Sequence, residues 1–100
     1  MSQRINMRDN DVFVQLNGSI FSKEATILRE ELIDCIGQGY KMFTFDFNEV
    51  KDIDSTGLGV IVTIRKRVLP MGGNIFVENL NPKIREVFER TRLNRRIDLK

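Results

Sequence analysis

The chain has no histidine. That absence removes Ser-His-Asp and Cys-His nucleophile pairs, imidazole-ligated zinc and histidine phosphorelay from the chemistry open to it. There is one cysteine, Cys35, so no intrachain disulfide can form and nothing stands ready to activate the thiol. Cys35 reads as packing on a helix, not as a nucleophile or metal ligand. No apolar run approaches the roughly 20 residues of a membrane span, and the opening Met1-Ser2-Gln3-Arg4-Ile5-Asn6 is too polar for a secretory signal. The expectation is a cytoplasmic protein with no membrane association, metal or cofactor.

One hundred residues are enough for one domain, expected to span residues 1–100, because independent cores usually take about 100 to 200. With 41% hydrophobic residues and 16 basic against 14 acidic side chains, the composition is that of an ordinary globular protein. The charge is unevenly placed. Asp9, Asp11, Glu24, Glu30, Glu31, Asp34, Asp46, Glu49, Asp52 and Asp54 dominate the first half, whereas Arg65, Lys66, Arg67, Arg85, Arg90, Arg92, Arg95 and Arg96 crowd the second. A basic stretch of this kind raises the question of nucleic acid. However, Glu86, Glu89 and Asp98 interleave with these arginines and few aromatic side chains lie among them to stack on bases. A solvated helix face or a protein-docking surface is expected, with no direct contact to nucleic acid.

The stretch Asp52-Ile53-Asp54-Ser55-Thr56-Gly57-Leu58-Gly59 organises what is present. Two carboxylates lead into two hydroxyls, and two glycines then open an apolar run. Ser55 is a favoured residue for a helix N-cap, which would present its hydroxyl where the helix macrodipole is positive and a phosphate tolerated. Gly57 and Gly59 carry no side chain to hold another backbone away. The same residues also fit a plain capped helix with no further role, and the motif taken alone leaves both readings open.

Along the chain, Ile5 and Met7 alternate with polar neighbours in Arg4–Arg8, and Val12–Leu16 is β-branched and aromatic, which predicts a hairpin through Asp9-Asn10-Asp11. Ser22 is the expected cap of a first helix, with Ala25, Leu28, Leu32, Cys35 and Ile36 on one face and a stop at Gly37 and Gly39. Met42–Phe47 reads as a strand placing Phe43, Phe45 and Phe47 on one side, with Asn48-Glu49-Val50-Lys51 as a connection. The second helix places Leu58, Ile61, Val62, Arg65 and Leu69 on one stripe, widened by Val60, Ile64 and Val68, and ends at Pro70 and Gly72-Gly73. Asn74–Glu78 is a further strand. Asn81-Pro82 opens a third helix carrying Ile84, Val87, Phe88 and Thr91. For Leu93–Lys100 two readings stand, an edge strand or a cover over the core. The fold class is therefore α/β: a mixed four- to five-stranded sheet, an N-terminal hairpin followed by β-α-β-α-β-α, helices packed on the sheet.

On these residues the chain resembles the STAS-domain anti-sigma factor antagonists. Their serine motif, an acidic residue followed by Ser, Ser or Thr, Gly, Leu and Gly, is matched at every position by Asp54–Gly59. Gly18, the strand Phe43–Phe47, Gly72-Gly73 and Asn81-Pro82 fit the family pattern over nearly the whole chain. The resemblance implies a non-enzymatic, phosphorylation-controlled protein-binding switch. Unphosphorylated, it would bind an anti-sigma factor that is also a serine kinase; phosphorylation of Ser55, with Thr56 as second candidate, would release it; and a PP2C-type serine phosphatase would reset it. The implied partner-binding residues are Asp54, Ser55, Thr56, Gly57, Leu58, Gly59, Phe21 and Ser22. The chain departs from the family at Gly18-Ser19-Ile20-Phe21, where many members carry Gly-Glu-Leu-Asp. Phe21 stands in place of that carboxylate, as an added partner contact or as core packing.

Two alternatives accompany this reading. One keeps the STAS scaffold in another serine-phosphorylation pathway, such as biofilm or secretion control. The other is enzymatic: Asp52-Ile53-Asp54-Ser55-Thr56 satisfies the D-x-D-x-T motif of magnesium-dependent haloacid-dehalogenase-like phosphatases. Against it, the later acids Glu78, Glu86, Glu89 and Asp98 are scattered and the predicted strand stops short of Asp52. Nor do Gly57 and Gly59 form a dinucleotide fingerprint, since Val62 takes the place of the third glycine.

Overall fold

Strand β1 (Arg4–Arg8) and strand β2 (Asp11–Ile20) form the expected hairpin. They pair antiparallel with Ile5 opposite Val14 and Met7 opposite Val12. In this computed structural model, which describes residues 3–99, the chain continues as α1 (Ser22–Gly37), β3 (Met42–Ile53), α2 (Ser55–Val68), β4 (Asn74–Glu78), α3 (Pro82–Arg90) and β5 (Asp98–Leu99). Met1 and Ser2, part of the reading of the amino terminus, and Lys100, the end of the last segment, lie outside the described residues.

The five strands stand in the order β1-β2-β3-β4-β5. From β2 to β5 every pairing is parallel, as helical crossovers require. Of the two readings for the C-terminal segment, the edge strand is observed. A short 3-10 turn at Leu93–Arg95 feeds β5, which pairs Asp98 with Phe76 and Leu99 with Val77.

Alternation decides where the core sits. Val12, Val14, Phe43, Phe45, Phe47, Ile75 and Val77 are all buried, while Phe13, Thr44, Asp46, Phe76 and Glu78, one residue out of phase, are half-buried. The helices therefore cover one face of the sheet. Ala25, Leu28, Leu32 and Cys35 of α1, Val60, Ile61, Ile64 and Val68 of α2, and Ile84 and Phe88 of α3 close the core from that side. Phe88 meets Phe47 edge to face, centroids 5.6 Å apart and planes at 86°, a favoured aromatic geometry. On α2 the predicted stripe is rotated: Gly57 joins the buried face, whereas Leu69 is exposed and Arg65 only half-buried. Among the described residues no helix is long and apolar enough to cross a membrane.

Two expectations need correction. The third strand does not end at Phe47. It runs on through Asn48-Glu49-Val50-Lys51 to Ile53, and its pairing with β2 slips twice, from Gln15↔Asp46 to Asn17↔Glu49 and from Gly18↔Val50 to Ser19↔Asp52. Each slip inserts an extra residue on β3, so its buried positions follow as Phe47, Val50 and Ile53, three apart, instead of alternating. The Asp46 carboxylate supports the first slip by accepting from the Asn48 amide at 2.9 Å and from Asn79 Nδ2 at 2.9 Å. Second, Ser22 does not cap α1. Phe21 holds the cap position with extended backbone and no side-chain bond, and its carbonyl accepts from the Ala25 amide at 2.8 Å. The α3 cap is as expected: Asn81 Oδ1 accepts from the Ile84 amide at 2.9 Å.

After α2 the chain turns through Gly72 at φ +80°, a conformation glycine adopts without cost. Gly73 then lies so close to the Lys41 backbone that any Cβ there would collide with the Lys41 carbonyl. That carbonyl accepts from the Asn74 amide at 3.0 Å, which starts β4 beside β3.

Candidate functional site

Strands β2 and β3 finish level with each other, Ser19 opposite Asp52 and Ile20 opposite Ile53. Each then breaks directly into a helix, so α1 and α2 begin side by side at the carboxyl edge of the parallel strands. The start of α3 is tied to the same edge: Asn81 Nδ2 donates to the Val50 carbonyl at 3.1 Å, and Lys83 Nζ lies 3.4 Å from Asp52 Oδ2. In sheets of this kind, binding sites collect at that edge.

The residue that caps α2 is Asp54, not Ser55. Its backbone is extended, its Oδ1 accepts from the Gly57 amide at 2.9 Å, and its carbonyl accepts from the Leu58 amide at 3.0 Å. Either side-chain oxygen can serve as a cap. The choice is made by the Asp54 amide, which donates to the Ile20 carbonyl at 3.4 Å and so holds residue 54 in line with the strand. Helical geometry starts one residue later. Ser55 is then the first residue of the helix, exposed, with its hydroxyl released from the capping role, and Thr56 beside it is exposed as well.

The other predicted site residues divide between surface and core. Gly57 is buried: a Cβ there would stand 2.7 Å from the Ile20 carbonyl oxygen and 2.7 Å from an Ile53 side-chain carbon. Its glycine serves the packing of α2 on the two strand ends, not an approaching partner. Leu58, at 8% exposure, points into the core and is withdrawn from the predicted contact surface. Gly59 is exposed, with open space where a Cβ would be. Phe21 is 42% exposed and Ser22 exposed, which decides between the two readings of Phe21 in favour of the surface. The accessible patch is therefore Phe21, Ser22, Ser55, Thr56 and Gly59, with the half-buried Asp54 between the two helix starts. Lys83 and Asn81, which border it, were not anticipated, because their links to Asp52 and Val50 arise only from the docking of α3.

The extension of β3 removes one argument against the D-x-D-x-T reading, since Asp52 lies within a strand after all. Both carboxylates are nevertheless committed. Asp52 accepts from the Ile53 amide at 2.9 Å and pairs with Lys83, and Asp54 holds the cap. Cys35 is buried at 4% exposure, and burial, with Asp34 and Glu31 nearby, pushes its thiol pKa upward. That is the opposite of what a nucleophilic cysteine needs.

A five-stranded mixed sheet with an N-terminal hairpin, helices on one face and a capped Asp-Ser-Thr-Gly-Leu-Gly helix start at the strand edge defines a recognisable class. The STAS domain profile matches residues 3–100, and the chain belongs to that family. Within it, the anti-sigma-B factor antagonist of Bacillus subtilis (strain 168) is 35% identical over 95 residues, covering 95% of this chain and 86% of the relative. The crystal structure of TM1081 from Thermotoga maritima superposes with a TM-score of 0.90 at 26% identity, covering 97% of this chain and 84% of that one. The Bacillus cell fate determinant SpoIIAA in its phosphorylated form shares the fold, with a TM-score of 0.81 at 20% identity over 99% of this chain and 91% of that one. The chain is accordingly an anti-sigma factor antagonist, one of a group of switch proteins that are not enzymes.

Proposed function

We propose that this antagonist is switched by phosphorylation of Ser55. In the unphosphorylated state it binds an anti-sigma factor that is itself a serine kinase, freeing a sigma factor. The kinase esterifies Ser55, the complex dissociates, and a PP2C-type serine phosphatase restores the binding form. The cycle runs in the cytoplasm, where such partners meet. The observation that carries this reading is the position of Ser55: exposed at the first residue of α2, with Asp54 and not Ser55 doing the capping. The hydroxyl can be esterified without dismantling the helix start.

The physical basis of the switch is charge. A phosphate adds about −1.5 to −2 at neutral pH directly beside the Asp54 carboxylate. Polarity at the helix start accommodates that charge in water. A partner that covers the patch must strip the hydration away, and an unpaired charge buried at an interface costs several kcal/mol. About 1.4 kcal/mol already lowers affinity tenfold. The test is intact-mass measurement after incubation with the cognate kinase and ATP, followed by site mapping. One phosphate on Ser55, absent in Ser55→Ala, supports the reading; modification confined to Thr56 or to another residue overturns it.

A further inference from the structure

Lys83 stands at a place its own helix does not favour. Asn81 caps α3 and Pro82 is its first residue, which puts Lys83 second, where the helix macrodipole is positive and a cation is poorly placed. No acidic residue lies in that turn to offset it. Lys23 holds the same position in α1, but there Glu24 stands beside it in the first turn. The backbone under Lys83 is nevertheless held firmly. Asn81 accepts from the Ile84 amide through Oδ1 at 2.9 Å and donates through Nδ2 to the Val50 carbonyl at 3.1 Å, so one side chain ties the start of α3 to β3, two residues before Asp52. The Lys83 ammonium is thereby brought to 3.4 Å from Asp52 Oδ2.

Stability does not account for this cation. With the two side chains 64% and 41% exposed, water and salt screen the pair and little is gained from it. The ammonium also keeps donors in hand: it has three, and among the described residues Asp52 is its one ionic partner. Asp52 is the more fully engaged of the two, with Oδ1 on the Ile53 amide at 2.9 Å and Oδ2 facing Lys83. We infer that Lys83 extends the partner-binding surface onto α3 and helps to select the partner, by receiving a carboxylate of the anti-sigma factor. Asp52 holds the place of that carboxylate in the free protein. The inference rests on the reading that Ser55 controls anti-sigma factor binding, and it adds a second component to that switch. A phosphate on Ser55, at the same strand edge, repels the very carboxylate that Lys83 draws in, so the modified surface turns away the partner by like charge as well as by desolvation.

Surface plasmon resonance with the cognate anti-sigma factor and the unphosphorylated protein, at several salt concentrations, tests this. Lys83→Ala is expected to bind about five- to tenfold more weakly, mainly through slower association, and to show a flatter salt dependence than wild type. Lys83→Glu is expected to bind more weakly still and Lys83→Arg to bind near the wild-type level. Asp52→Asn, which keeps an oxygen for the Ile53 amide, separates this role from a structural one. If Lys83 only held Asp52 in place, Asp52→Asn and Lys83→Ala would break the same pair and weaken binding alike. Here Asp52→Asn is expected to bind as tightly as wild type or more tightly, because the competitor for Lys83 is gone. All four variants are expected to unfold near the wild-type midpoint, as substitutions at exposed pairs do. Wild-type affinity in Lys83→Ala and Lys83→Glu, or equal losses in Asp52→Asn and Lys83→Ala, overturns the inference and leaves the Ser55 switch standing; a wild-type protein that binds no anti-sigma factor overturns both.

Discussion

Gly57 rests on Ile20: the carbonyl oxygen of Ile20 would lie 2.7 Å from a Cβ at position 57. The same oxygen accepts from the Asp54 amide. One backbone atom at the end of β2 thus sets both where α2 begins and how closely it packs, and Ser55 is exposed as a result.

Gly57→Ala is expected to destabilise the fold by about 1 to 3 kcal/mol through overpacking against a backbone atom that cannot move aside. Gly59→Ala, with open space around it, is expected to be neutral or to stabilise by about 0.5 to 1 kcal/mol, since glycine weakens an exposed helix interior. Urea unfolding of the two variants checks the contrast, which the motif alone, with two equivalent-looking glycines, does not foretell.

Asp54→Ala should cost about 0.5 to 2 kcal/mol by removing the cap bond to Gly57, whereas Asp54→Asn keeps an acceptor and should cost less. Ser55→Ala is expected to change stability by no more than about 0.5 kcal/mol, as exposed substitutions do. If Ser55→Ala proves the more damaging of the two by thermal unfolding, the assignment of the cap to Asp54 is wrong.

The exposed ring of Phe21 gives a prediction about binding without one about folding. Phe21→Ala is expected to leave the unfolding midpoint near the wild-type value and to weaken anti-sigma factor binding several-fold, as loss of an aromatic contact at an interface does. Isothermal titration with the unphosphorylated protein measures it.

Cys35 sets a limit on the alkaline side. Burial, followed by Asp34 and Glu31, raises its folded pKa above the ordinary 9.0. As pH rises through that value the unfolded chain loses the thiol proton first, so the stabilisation, complete below it, declines as pH climbs through the folded pKa. Cys35→Ala is expected to show a shallower alkaline fall in stability than wild type, measured by denaturant unfolding between neutral pH and the alkaline range.

Much of this architecture was legible in the residues. Ala25, Leu28, Leu32 and Cys35 recur at helical spacing, Phe43, Phe45 and Phe47 alternate, and Asn81-Pro82 marks a helix start, and each became the element it predicted. The second half of β3 was hidden because its two slips against β2 replace a period of two by a period of three, which no strand template contains. The α2 cap was misplaced by one residue because Asp54 and Ser55 are both good caps and only the link from Asp54 to Ile20, distant in sequence, separates them. Leu58 and Gly57 looked like members of an exposed motif because the motif is contiguous in sequence; the turn of the helix sends them inward and leaves Ser55, Thr56 and Gly59 outside. Phe21 stood open between two roles until the level ends of β2 and β3 placed it at the surface.

The most direct test of the switch is the affinity of one anti-sigma factor for this chain before and after stoichiometric phosphorylation at Ser55. The account predicts at least a tenfold loss, equivalent to about 1.4 kcal/mol, with Ser55→Asp lying between the two states and Ser55→Ala binding like the unmodified protein. Equal affinity for the modified and unmodified forms would contradict it.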